Sequence, residues 1–229
     1  MYRCVAQSVE GFVQQLAVAY ISRGYWFYVT GRLPEHKDPS SIDRKLIERY
    51  GIAASKWQRA RRKRAGTANL QYLRHDRFFV ILATHGTQRF FQDEPFRDVR
   101  EDPIRFHGYS IGCGKGTDGR WHASVRIHAE EYKCLKAFFL DLATHRSVEE
   151  LAREFQLVRF APFARVRRQM LNILRAVNRV TKEAGFEPVP VTAIRLHRRP
   201  VGVFGSWPKL AHRHDVPESC GWRSPRDRR

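Results

Sequence analysis

No run of 18 consecutive apolar residues occurs in the chain, which excludes a membrane-spanning helix of ordinary length and a membrane partner of that kind. The first 25 residues are interrupted by Gln7, Glu10, Gln14 and Gln15, so no apolar stretch of the signal-peptide type forms there. Cysteine is sparse. Cys4, Cys113, Cys134 and Cys220 stand far apart, without the short spacing by which one turn gives two ligands to a zinc ion. Four free thiols fit a reducing cytoplasm. No internal repeat is present. Carboxylates are in short supply too: 23 Asp and Glu stand against 42 Lys and Arg, a formal net charge of +19. A surface so far from neutrality attracts polyanions before any specific chemistry begins.

That charge is localised. Residues 1–40 carry +1, residues 41–80 carry +8, residues 81–120 and 121–160 are neutral, and residues 161–229 carry +10. Two basic blocks therefore flank a neutral middle, the pattern of a built binding face. Of the 42 basic residues 33 are arginine, whose planar fork suits phosphate and stacks on bases. A GC-rich genome gives the same arginine bias without function. Apolar residues make up 42% of the 229, enough for the cores of one or two domains.

Hydrophobic periodicity divides the chain. Val9, Phe12, Val13, Leu16 and Tyr20 recur at helical spacing, which predicts a helix over residues 8–23 ending at Gly24. Residues 25–30 (YWFYVT) have strand propensity. Helices are expected over residues 41–50, stopped by Gly51, and from an N-cap at Ser55 to Arg64, closed by Gly66. Residues 70–74 and 77–84 form paired strands, the second buried on both faces, and residues 93–103 form a loop. Residues 104–111 and 121–128 are expected as a hairpin with a long glycine-rich tip at 112–119. Helices follow over residues 129–145, over 147–155 from a Ser147/Glu150 capping box, and over 163–183. The fold class is α+β: an antiparallel sheet with flanking helices in residues 1–128, a helical carboxy-terminal part in 129–205, and a basic tail in 206–229.

Several constellations carry possible chemistry. Residues 56–64 (KWQRARRKR) hold six cations in nine positions, with only Trp57 and Ala60 to bury. Lys56, Trp57, Arg59, Arg61, Arg62, Lys63 and Arg64 are candidate phosphate contacts, where counterion release drives binding; the alternative is a solvated face anchored by Trp57. In the helix at 163–183, Arg165, Arg168, Asn172, Arg175 and Arg179 fall at steps of 3, 4, 3 and 4. They form one stripe opposite the apolar face. A helix–turn–helix with the preceding helix requires a shorter turn than residues 156–162 supply.

The strand at 121–128 alternates, with His122, Ser124, Arg126 and His128 on one side, and the neighbouring strand offers Arg105, His107 and Tyr109 in the same alternation. Coincident polar faces place Arg126 on a backbone. They also make His107 and His122 candidate acid/base groups, with Tyr109 and Tyr132 as candidate nucleophiles. Rolling-circle nickases hold one metal between two histidines separated by a single residue. His122 and His128 lie ~20 Å apart along an extended strand, and the one pair with that spacing, His212 and His214, falls in the tail. Lys115 lies in a glycine-rich stretch that lacks both the spacing and the strand-to-helix context of a phosphate-binding loop. Asp98, Glu101 and Asp102, with Asp93 and Glu94, can hold Mg²⁺ for phosphodiester hydrolysis, or they can pair with the interleaved Arg97, Arg100 and Arg105. Of the aromatics at Tyr25, Trp26, Phe27 and Tyr28, those that are exposed on the sheet would stack on unpaired bases, while core packing claims at least half of the aromatics.

Three functions fit. The first is a cytoplasmic binder of DNA or RNA without a cofactor. The second is a nuclease or strand-transfer enzyme of a mobile element, with Mg²⁺ as its possible metal. The third is a basic subunit of a ribonucleoprotein complex.

Overall fold

The computed structural model describes residues 2–205, and the tail at 206–229, with His212, His214 and Cys220, lies outside the described residues. The fold is α+β, with two antiparallel sheets. Helix α1 (Val9–Gln14) starts where the Ser8 hydroxyl accepts a hydrogen bond from the Gly11 N–H. It widens into a π-helical turn over Gln15–Tyr20, tightens over Ile21–Arg23 and stops at Gly24, whose φ of 90° only glycine adopts cheaply. Its apolar face (Phe12, Val13, Leu16, Ile21) is buried as its periodicity requires.

The first sheet contains β1 (Phe27–Arg32), β2 (Leu70–His75), β3 (Phe78–Ala83) and the two-residue β4 (Arg97–Asp98), in the order β2-β3-β1-β4. Its rows alternate between two cores. Tyr28, Leu73, Val80 and Leu82 face the larger, and Leu70, Tyr72, Ile81 and Ala83 face the smaller. Helix α2 (Pro39–Arg49) covers the smaller core, with Leu46 and Ile47 packed against it, alongside Phe90 and Phe91 of the single turn α4 (Phe90–Asp93). A buried ion pair pins α2 to β2. Asp43 receives hydrogen bonds from Arg74 Nε at 2.9 Å, Arg74 Nη2 at 2.8 Å and the Tyr72 hydroxyl at 2.5 Å. Cys4 is buried beside this carboxylate, and desolvation pushes its thiol up to about 12. Cys4, Cys113 and Cys134 are all free.

The second sheet is a three-stranded meander of β5 (Ile104–Phe106), β6 (Tyr109–Lys115) and β7 (Trp121–Ile127). Here the structure departs from the expected single strand over 104–111. His107 (φ 45°) and Gly108 (φ 76°) both adopt positive φ and reverse the chain in a two-residue hairpin turn. The reversal changes which face each side chain of β6 occupies, while β7 keeps its expected alternation. Strand β6 runs further than expected, to Lys115, while β7 keeps its expected start at Trp121, leaving a short tip at residues 116–120.

Helices α5 (Ala129–Leu142), α6 (Val148–Leu157) and α7 (Ala164–Glu183) follow. The Ser147/Glu150 capping box is formed. Phe139, Leu151, Phe155, Val166, Met170, Ile173 and Val177 join Phe12, Tyr28, Ile111 and Val125 in the larger core, so residues on both sides of position 128 share it. Helix α7 also guards the open edge of β7, an otherwise unpaired row of backbone groups. The Gln169 side-chain amide donates to the Ile127 carbonyl at 3.0 Å, and its oxygen accepts from the Ile127 N–H at 2.8 Å. Among the described residues, no helix is long and apolar enough to cross a membrane.

Candidate nucleic-acid interface

The edge contact of Gln169 fixes the rotation of α7. Its buried stripe turns inward, and Arg165, Arg168, Asn172, Arg175 and Arg179 are all exposed on the opposite face. Arg175 donates to the Asn172 side-chain oxygen at 3.2 Å. Arg165, Arg168 and Arg179 have neither an ion pair nor a hydrogen bond among the described residues.

The outer face of the second sheet continues this surface. The register aligns Arg105, Ser110 and Arg126 in one cross-strand row. Both arginines are exposed while the serine between them is buried. Arg126 has no polar partner among the described residues. Next along β6, Pro103 and the Val99 carbonyl close over Gly112. Two residues on, Gly114 leaves its place on that face empty, and the Arg165 guanidinium fills it, with Nη2 3.2 Å from where a β-carbon would stand. Arg165 thus joins the α7 stripe to the sheet face beside His122, the cross-strand partner of Gly114. Carboxylates flank these elements at Asp118, in the tip, and at Glu130 and Glu131, in the first turn of α5.

The remaining candidate groups do not assemble. His122 Nε2 lies 2.9 Å from Asp118 Oδ1 at the exposed tip, and that contact holds the Asp118 carboxyl below the usual range. His107 sits in the β5–β6 turn against Phe106 and His75. It is separated from His122 by most of the length of β6, ~17 Å of strand. The hairpin turn puts Tyr109 on the inner face instead of beside Arg105. There it is 2% exposed and accepts a hydrogen bond from the Ala161 N–H at 2.6 Å. Burial pushes its phenol up to about 12, so it is protonated and shielded at neutral pH. Tyr132 is half-buried against the larger core. Lys115 is exposed, with its ammonium 5.6 Å from the Trp121 ring centre.

The acidic segment is occupied by arginines. Asp93 bonds Arg49 at 2.9 Å and Arg89 at 3.0 Å, Asp102 bonds Arg97 at 3.2 Å, and Asp98 bonds Arg100 at 2.5 Å. Burial pushes the Asp98 carboxyl up, but hydrogen bonds from the Arg100 side chain and backbone outweigh it and hold the group below its ordinary value. Asp98, Glu101 and Asp102 are not gathered around a common point, and no group of three His, Cys, Asp or Glu suited to a metal ion occurs among the described residues.

No protein-family model matches this chain, and no curated protein sequence does.

The first basic block lies elsewhere. Helix α3 (Lys56–Arg64) has the capping box of Ser55 with Gln58 and no buried residue. Trp57 is 80% exposed rather than being the anchor, and Ala60 is exposed too. Attachment is polar instead. Arg59 Nη1 donates to the Ala54 carbonyl at 2.6 Å and Arg62 Nη1 to the Gly51 carbonyl at 3.0 Å, while Asn69 Nδ2 donates to the Arg59 carbonyl at 3.1 Å. Helical spacing turns Arg59 and Arg62 toward loop carbonyls that need donors, and turns Trp57 away. Lys56, Arg61, Lys63 and Arg64 are exposed and unpaired among the described residues. Because α3 is mounted beside the smaller core and α7 beside the second sheet, the two blocks belong to different layers of the molecule.

Proposed function

We propose that this chain is a cytoplasmic nucleic-acid-binding protein. Its principal phosphate-gripping surface is the outer face of α7 continued by Arg126 and Arg105 on the second sheet. The observation that carries this reading is Arg165. It fills the place left by Gly114 on the outer face of β6, so the α7 stripe reaches the second sheet at the His122 row, on the same strand face as Arg126 four residues along β7. Arginines held on rigid elements without carboxylate partners are the groups that displace counterions from a phosphodiester chain. Asn172, central in the stripe, can read a base edge bidentately. Binding is favoured over phosphodiester chemistry by the positions of the candidate catalytic groups. His107 and His122 stand at opposite ends of the second sheet, and the Tyr109 hydroxyl is buried with its partner.

A salt titration tests the reading. Binding of a labelled duplex and of a single strand is measured by anisotropy between ~50 and ~200 mM salt. A fall in affinity of at least about 10²-fold is expected on duplex, as for four or more phosphate contacts at a slope of about 0.9 each. No binding at low salt, or binding indifferent to salt, overturns the proposal.

A further inference from the structure

On the α3 side of the molecule, the first sheet ends in an open cup of about 490 Å³. Three of its walls are phenylalanine rings from three separate elements. Phe27 begins β1, Phe91 comes from α4, and Phe96 precedes β4. The ring centres lie 5.4 Å (Phe27–Phe91), 5.7 Å (Phe27–Phe96) and 5.0 Å (Phe91–Phe96) apart, each pair within a few degrees of perpendicular. His85 lines a fourth side, 6.3 Å from Phe27, and Phe96 is 42% exposed at the mouth. Gln92 adds an exposed side-chain amide to the lining.

The rim is bound to the end of the basic helix. The Thr87 N–H donates to the Gly66 carbonyl at 2.9 Å and the Ala68 N–H to the Thr87 carbonyl at 3.1 Å. Gly86 fits so closely there that a β-carbon would lie 2.6 Å from the Gly66 oxygen. Gly66 comes two residues after Arg64. On α3 itself, Trp57, Arg61 and Arg64 share one exposed stripe by their spacing of four and three. An exposed indole therefore stands at one end of the helix, unpaired cations lie along it, and an aromatic cup opens beyond the other end. The helix between them is ~14 Å long.

We infer that this cup receives an unpaired base of a single-stranded polynucleotide whose phosphates run along the Trp57–Arg64 stripe. A flat, neutral π-system can stack on one phenylalanine while meeting the edges of the others, and the Gln92 amide can hydrogen-bond its rim. The surrounding charge selects this occupant over the other usual guest of an aromatic pocket, an organic cation. The Arg100 guanidinium, 5.8 Å from the Phe27 ring centre, is balanced by Asp98, so the surplus charge beside the cup is that of Lys56, Arg61, Lys63 and Arg64 on α3, unpaired among the described residues. Base pairing hides the face and edge that the cup would hold, so a duplex cannot use it.

The inference rests on the nucleic-acid reading, and its test separates the two. The probes are a single-stranded oligonucleotide and an abasic chain of equal length and equal phosphate number. Full-length protein is expected to bind the base-bearing chain about 5- to 150-fold more tightly, the range for stacking one base on an aromatic platform. Phe96→Ala should abolish most of that preference while leaving affinity for the abasic chain and the salt slope unchanged. Phe96→Tyr should keep it, which guards against a mere loss of packing. Equal binding of both chains by the wild type, or a preference untouched by Phe96→Ala, overturns the cup and leaves the phosphate surface standing. Failure to bind either chain overturns the cup, and failure to bind duplex as well overturns both.

Discussion

Replacing Arg165, Arg168, Arg175 and Arg179 together with alanine should lower the slope of log affinity against log salt on duplex DNA by about 3.6, at about 0.9 for each phosphate no longer held. Between ~50 and ~200 mM salt, that slope amounts to about 10²-fold in affinity. The variant should therefore bind weakly at low salt and respond little to added salt. Its fold should survive. The four side chains are exposed, none has an ion pair among the described residues, and alanine is a strong helix former. Alanine at Lys56, Arg61, Lys63 and Arg64 should remove a separate, additive share on single strands, because α3 and α7 belong to different layers. An unchanged slope in the α7 variant, measured by the same anisotropy titration, would move the phosphate-binding groups off this helix.

The largest stability effect is expected at Asp43. Its carboxylate and the Arg74 guanidinium are 7% and 10% exposed, so solvent screens them little. Asp43→Ala leaves Arg74 charged and buried, and strips the Tyr72 hydroxyl of its acceptor. Breaking one side of such a pair costs ~3–5 kcal/mol. With a urea slope of ~1–3 kcal/mol per molar, the unfolding midpoint should drop by at least about 1 M. Asp102→Ala breaks the Arg97–Asp102 pair, 62% and 48% exposed, and should cost only ~0.2–1 kcal/mol. Equal losses for the two variants, in urea unfolding followed by circular dichroism, would mean that Asp43 does not lock α2 to the sheet.

Local signals in the sequence carried most of the fold. The apolar spacing of residues 9–20, the N-cap at Ser55, the capping box at Ser147 and the two faces of α7 are each set within a few turns of chain, and each is found in the structure. The failures have physical causes. Only Gly108 signalled the β5–β6 turn, and the preceding His107 shares its positive φ. That turn flips β6 relative to β5, which is why Tyr109 lies inside and Arg105 outside, while β7 keeps its expected faces and Arg126 stays on the face of Arg105. The alternative reading of α3, a solvated face anchored by Trp57, fails because the ring is 80% exposed. Two arginines reach loop carbonyls instead, a competition set by tertiary geometry. The stripe of α7 was legible because one helix carries it. Its junction with the sheet face at Gly114 was not, since β6 and α7 meet only after folding. The aromatic cup escaped notice for the same reason: Phe27 is far in sequence from Phe91 and Phe96.

A photo-crosslinking pair addresses the phosphate surface most directly. A benzophenone amino acid is placed at Asn172, exposed midway along α7, or at Glu149, exposed on α6. Each protein is irradiated with a labelled oligonucleotide at low salt. The account predicts a crosslink from position 172 that disappears as salt is raised, and none from position 149. Crosslinks of equal yield from both positions, or from position 149 alone, would contradict it.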